Sequence, residues 1–330
     1  MRALPTALLL LCASSCSLSQ EELDLIADYR QRAAQYYDVN DLNRAEQQAR
    51  RGLEIAPEDP ELRHILGRTL LKKGDPTSVQ LAGLELREAY DYGSDFKTAY
   101  SLGEYHLRHA ELLLGSALVL EQKRSELSDS PSDDEARVTM GADIGERRNK
   151  AESHLNSSLR LIDEALTGRP EWVEALQHKA RILAQQHRDE ESLVALEELV
   201  VILRESRRFK NNTLATRQMT LANEQFVRDS LLRDIAWEVE ARGLAASILM
   251  NGKDWQSAEV QLTEILKLAP ERSNEYYNRG LARYYQGNLS AASSDMRTFL
   301  GKTSLDQEAA QVVRALEILD EFQAGQRNAG

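Results

Sequence analysis

Gly280-Leu281-Ala282-Arg283-Tyr284-Tyr285-Gln286-Gly287-Asn288 is the stretch that decides the fold. It sits between Tyr276 on one side and Ala292, Met296 and Phe299 on the other, so bulky and small residues recur at three- and four-residue steps across it. That step is the period of an α-helix with one buried face. Two such stripes form a tight antiparallel pair, in which small residues let the backbones approach and large ones fill the space beside them. Working outward, Ala246, Leu249, Gly252, Ala258, Leu262 and Ile265 repeat the pattern and stop at Pro270. Near the other end Tyr29, Ala33 and Tyr36 form one stripe, and after Asn40-Asp41 a second carries Ala45, Ala49 and Gly52. Pro57 stops that second helix, because a proline ring cannot continue the hydrogen-bond ladder.

A unit that returns along a chain marks a repeat architecture. These units resemble the tetratricopeptide repeat (TPR), which pairs a bulky-x2-Leu-Gly-x2-Tyr first helix with an Ala-rich second helix and a closing Pro. Leu66-Gly67, with Ala82 and Ala89 behind it, and Leu102-Gly103 supply the small-residue joint of two further units. Leu155 to Leu166 followed by Pro170, then Trp172 to Leu203, make two more degenerate pairs. The resemblance implies an all-α TPR-like superhelix of antiparallel helix pairs, about six or seven units over residues 25–325, irregular in the middle. Ser128-Asp129-Ser130-Pro131-Ser132-Asp133-Asp134 reads as part of an acidic, mobile loop near residues 125–143. Residues 204–217 read as a basic, Asn-rich break, and 218–250 as one long helix.

Composition agrees with a soluble helical body. Of 330 residues 42% are hydrophobic and 28% charged, with only 7 Pro and 17 Gly, which disfavours disorder and turn-dense β-sandwiches. A net charge of -12 argues against a nucleic-acid partner, whose phosphates need clustered Lys and Arg.

The chain opens Met1-Arg2-Ala3-Leu4-Pro5-Thr6-Ala7, continues Leu8 to Leu11, and exits through Cys12-Ala13-Ser14-Ser15-Cys16. One positive charge, a short apolar run and a small-residue exit are the marks of a secretory signal peptide. No cysteine follows Cys16, so structural disulfides and Cys-ligated zinc have no place in the body. Ala13-Ser14-Ser15-Cys16 resembles the lipobox of bacterial lipoproteins, in which the cysteine thiol is acylated and becomes the new N-terminus. The resemblance implies a lipoprotein signal peptide at 1–15, lipidation at Cys16 and an acylated tether over 16–24. Ser17 in place of Asp implies the outer membrane, with the body facing the periplasm and the lipid as its sole membrane contact. Ordinary cleavage, leaving a soluble secreted or periplasmic protein, is the alternative.

Catalytic patterns are missing from the sequence. Gly301-Lys302-Thr303 lacks the upstream Gly of a phosphate loop, where Met296 stands. Ser94-x-x-Lys97 lacks its companion Lys-Thr-Gly. His106 and His109 share a helix face, yet zinc needs three or four ligands, so neither a metal nor a cofactor is expected. What remains is surface. TPR arrays use the first helix of each pair to line a groove. The groove residues implied are Asn274, Tyr277, Leu281, Tyr284 and Tyr285 near the C-terminus, Tyr37 beside Arg30 and Ala34 in the first unit, and a basic ladder of His64, Arg68 and Lys72 in the second. Aromatic and Arg side chains often dominate binding energy. The reading is a non-enzymatic scaffold of the bacterial envelope that binds an envelope protein or peptide. A small-molecule-binding TPR lipoprotein associated with a solute transporter is the alternative, favoured by an enclosed apolar pocket among the middle helices.

Overall fold

The computed structural model describes residues 18–93, 95–128, 130–216 and 218–329. The expected signal peptide and Cys16 lie outside the described residues. Among the described residues there are thirteen helices and no strand, so the all-α expectation holds. The chain divides after residue 94 into two units.

The first unit holds α1 (Gln20–Asp38), α2 (Leu42–Ile55), α3 (Pro60–Lys73) and α4 (Pro76–Tyr92). These are two helix pairs, and α1 also packs on α3. The second unit holds α5 (Phe96–Ser125), α6 (Pro131–Gly168), α7 (Val173–Gln185), α8 (Asp189–Thr216), α9 (Leu221–Asn251), α10 (Trp255–Leu268), α11 (Ser273–Tyr285), α12 (Leu289–Lys302) and α13 (Ala310–Ala329). These are four pairs followed by a single helix, each packed on its neighbours in sequence. Among the described residues no one centre gathers the buried side chains. Ile26, Ala33, Ala49, Leu62 and Leu66 form one cluster in the first unit, and separate clusters follow along the second. This is the signature of stacked repeats, in which each pair buries its apolar face only against adjacent pairs.

Turn chemistry explains the pairing. Asn40, His187, Lys253 and Gly287 all take left-handed backbone, with φ of 61, 57, 60 and 81°. In each case the next residue donates its N–H to a carbonyl five positions back: Asp41 to Tyr36, Arg188 to Leu183, Asp254 to Leu249 and Asn288 to Arg283, at 2.8 to 2.9 Å. This Schellman closure satisfies carbonyls left over at the end of the first helix. Gly74 turns the α3–α4 joint in the same left-handed region. The second helix then starts on a capped end, where Asp41, Asp75, Asp254 and Asn288 accept from the N–H three residues on. Close approach is real at the small-residue joints. A Cβ on Gly67 would lie 2.6 Å from Leu86 Cγ, and one on Gly280 would lie 2.8 Å from Met296 Cε.

The middle of the chain differs from expectation in three places. The loop expected near residues 125–143 is mostly helix, since α6 starts at Pro131. Proline suits the first helical turn, and Asp133 and Asp134 favour its positive end. The break expected at 204–217 is the last part of α8, which runs to Thr216. Its basic residues reach across to α9, with Lys210 Nζ 2.6 Å from Asp234 and Arg207 Nη2 2.6 Å from Glu238. The tether expected over 16–24 is already helical from Gln20, because Ser19 and Glu22 form a reciprocal capping box. The long helix expected over 218–250 is α9.

Candidate functional site

In the first unit the structure brings three of the groove residues together. Tyr37 comes from the last turn of α1, and Arg68 and Lys72 from successive turns of α3. Packing of α1 on α3 puts the Arg68 guanidinium 4.5 Å and the Lys72 ammonium 4.7 Å from the centre of the Tyr37 ring. The ring's negative face attracts both cations. Among the described residues neither cation is paired with a carboxylate, and Lys72 is exposed. The neighbouring Lys73 is already committed, to Glu46 at 2.6 Å and to Asn43 at 2.9 Å. The result is two unneutralised charges held by an aromatic ring in a protein of net charge -12. His64, one turn before Arg68, is half-buried.

The frame around this patch is rigid. Arg30 of α1 donates from Nε to both Asp59 oxygens at 3.1 to 3.2 Å, and its Nη2 makes a shorter contact to the same carboxylate. Asp59 is buried and also caps α3, accepting from the Leu62 N–H at 2.9 Å. Arg30, a groove neighbour by periodicity, is therefore a bolt between α1 and α3. The pairing holds the Arg30 guanidinium above its usual range, chiefly through the hydrogen bond to Asp59.

The C-terminal stripe has a different fate. Tyr277 is a core residue, 9% exposed and packed on Phe299 with ring centres 5.1 Å apart. Leu281 packs into the same cluster, together with Val312, Ala315 and Ile318 of α13. Tyr284 is half-buried, donates its hydroxyl to Glu321 at 2.7 Å, and lies under Arg314 at 5.0 Å. The helix that follows the last pair thus packs on this side of α11 and buries Tyr277, which corrects Tyr277 as a partner contact, while Leu281 and Tyr284 are half-buried against it. Burial also raises the Tyr277 phenol above its ordinary value. Asn274 and Tyr285 stay exposed, Tyr285 stacked on Trp255 at 4.5 Å between ring centres.

The sequence shows only part of one further cluster and nothing of another. His154 of α6 joins His106 and His109, its Nδ1 2.8 Å from that of His106 and its ring 4.3 Å from that of His109. Burial lowers the His109 and His154 imidazoles, and His109 lowers His154 further. His109 Nδ1 is turned to the Tyr105 hydroxyl at 3.2 Å. Among the described residues no group of three such side chains has the geometry of a metal site. The second cluster gathers Arg204, Arg207 and Arg242 on Glu238. An i, i+4 Glu-Arg pair on a long helix reads in sequence as a solvated face, so nothing marked it.

The chain matches no family model and no curated protein sequence. Its fold does match solved structures. PilF of Pseudomonas aeruginosa aligns over 93% of this chain and 100% of its own, at 13% identity and a TM-score of 0.51. PilW, described as a widely conserved type IV pilus biogenesis factor, aligns over 91% of this chain and 100% of its own, at 12% identity and a TM-score of 0.50. At such identities the likeness shows the fold, that of TPR proteins.

Proposed function

We propose that this protein is a non-enzymatic interaction scaffold of the bacterial cell envelope, which grips an acidic segment of a protein partner on the first-helix face at Tyr37, Arg68 and Lys72. The observation that carries the reading is the pair of cations stacked on Tyr37 with no carboxylate of their own. An ordered, uncommitted guanidinium beside an aromatic ring loses little entropy on meeting a carboxylate, and such residues tend to be binding anchors. The whole-length fold likeness to a type IV pilus biogenesis factor supports a task in assembling envelope structures.

Lipid anchorage at Cys16, a periplasm-facing body and outer-membrane residence complete the proposal. They rest on Ala13-Ser14-Ser15-Cys16 and on Ser17. Two arms test it. Crosslinking in intact envelopes, read by mass spectrometry, should recover one partner with the native chain and lose it, by about tenfold or more, with Arg68→Glu/Lys72→Glu. Undiminished capture at intact folding would remove the patch as the site. Separately, Cys16→Ser should move the protein to the soluble fraction, and unchanged membrane association would refute the anchor.

A further inference from the structure

A cleft of about 540 Å³ opens between α8 and α10 over a floor made by α9. Its walls are the second helices of successive pairs, and it shares no residue with the patch at Tyr37, Arg68 and Lys72. Its size is that of a small-molecule site. Leu196, Val200 and Ala245 are buried in its walls, while Val201 and Val260 stand at its lip, 50% and 56% exposed.

The floor is charged. Arg242, 4% exposed, donates from Nε to Glu238 Oε1 at 2.8 Å and from Nη1 to Gln261 Oε1 at 2.6 Å. Its Nη2 is 2.8 Å from the same Glu238 oxygen but misaligned for a hydrogen bond, and Arg207 Nε and Glu238 Oε2 are likewise buried without one. Glu238, 1% exposed, also faces Arg204 and Arg207. Arg204 in turn reaches Glu264 at 2.9 Å, an acid shared with Lys267. Three guanidiniums therefore meet two carboxylates. The other acid of the lining, Glu197, is exposed at the rim and makes no ion pair among the described residues. Arg204 is half exposed, so water and Glu264 meet its charge, whereas the largely buried Arg207 and Arg242 share the single carboxylate of Glu238. Two buried guanidiniums on one carboxylate, with a donor left idle, are costly unless an anion completes them.

We propose that this cleft is a binding site for a small monocarboxylate with an apolar tail, its carboxylate directed to the guanidinium floor and its tail along the valine- and leucine-lined walls. A cationic amphiphile would add to the excess charge, and a neutral one would leave the donors idle.

Calorimetric titration of the full purified chain with decanoate, kept below its micelle concentration, tests this at pH 7.5. Decanoate should bind about tenfold or more tightly than decanol or decylamine. Val260→Asp, a change at an exposed lip position, should weaken decanoate by a similar factor while leaving the thermal midpoint unchanged. Arg242→Gln should abolish the preference for decanoate over decanol. Absence of decanoate binding, which is also the result if the cleft seats only a partner helix, overturns the proposal. Equal affinity for decylamine, or full decanoate binding by Val260→Asp, overturns it as well. None of these readouts depends on the first-helix patch.

Discussion

At the scale of single residues, the structure stores cost where a side chain sits in an unsuitable setting. Lys253 holds left-handed backbone at φ 60°, whereas Gly252 beside it does not. A side chain pays roughly 1–2 kcal/mol there, partly offset by the freedom a glycine adds to the unfolded chain. Lys253→Gly should therefore stabilise the protein by about 0.5–1 kcal/mol, seen as a higher urea midpoint with unchanged slope. His178 illustrates the electrostatic version. It is stacked on Tyr100 at 5.4 Å, its Nδ1 is buried without a hydrogen bond, and burial, aided by Arg181, pushes its imidazole down from the usual 6.5 to about 4. The unfolded chain then takes up the proton at higher pH than the folded one. Stability is full above pH 6.5, falls as pH drops through the window from 6.5 to about 4, and levels below it. The total loss from this one group is about 3 kcal/mol. Urea melts between pH 7 and 4.5 should show that slope flattened in His178→Phe; an identical slope in the variant would assign the acid sensitivity elsewhere.

At the scale of elements, what the sequence made legible was periodicity, and what it hid was cover. Gly280 and Met296 announce a helix pair by spacing alone, and they do meet. Gly287-Asn288 announces the turn, because glycine accepts left-handed backbone freely; His187, doing the same task, carries no such hint. Periodicity says that Tyr277, Leu281 and Tyr284 share a side of α11. It does not say that a helix more than thirty residues downstream comes to lie on that side. Pro131 and its acids are ambiguous for a related reason, since the same residue types mark a loop and a helix start. The cover supplied by α13 can be tested directly. Ending the chain after Leu305 removes Val312, Ala315 and Ile318 and uncovers the Tyr277–Phe299 cluster, and terminal repeats need a polar outer face to stay soluble. Light scattering should then show self-association at micromolar concentration, together with loss of near-ultraviolet tyrosine dichroism. A monomer with native dichroism would mean that α13 is ornamental to α11 and α12.

At the scale of the whole molecule, stability is a sum of neighbour contacts with no common centre, and this sets how damage spreads. Gly67→Ala is an instructive probe because two effects oppose. Alanine favours helix by about 1 kcal/mol over glycine, but its Cβ would lie 2.6 Å from Leu86 Cγ and 3.2 Å from the Leu86 backbone nitrogen. A side chain can rotate away and a backbone cannot, so α4 must move off α3, and overpacking of that kind costs roughly 1–3 kcal/mol. The net effect is a loss of up to about 2 kcal/mol, felt first by the pairs that share the joint. Hydrogen exchange should speed up across α1 to α4, including the backbone beneath Tyr37, Arg68 and Lys72, while α11 to α13 keep their protection. A chain built around one cooperative core would instead lose protection everywhere by the same factor, and that outcome would contradict the repeat architecture itself. The same logic explains why the charged patch was legible as a ladder in the sequence while the cleft over Arg242 was not. The ladder needs only one helix with basic residues on successive turns, whereas the cleft exists only once three helices and their ion pairs have been brought together.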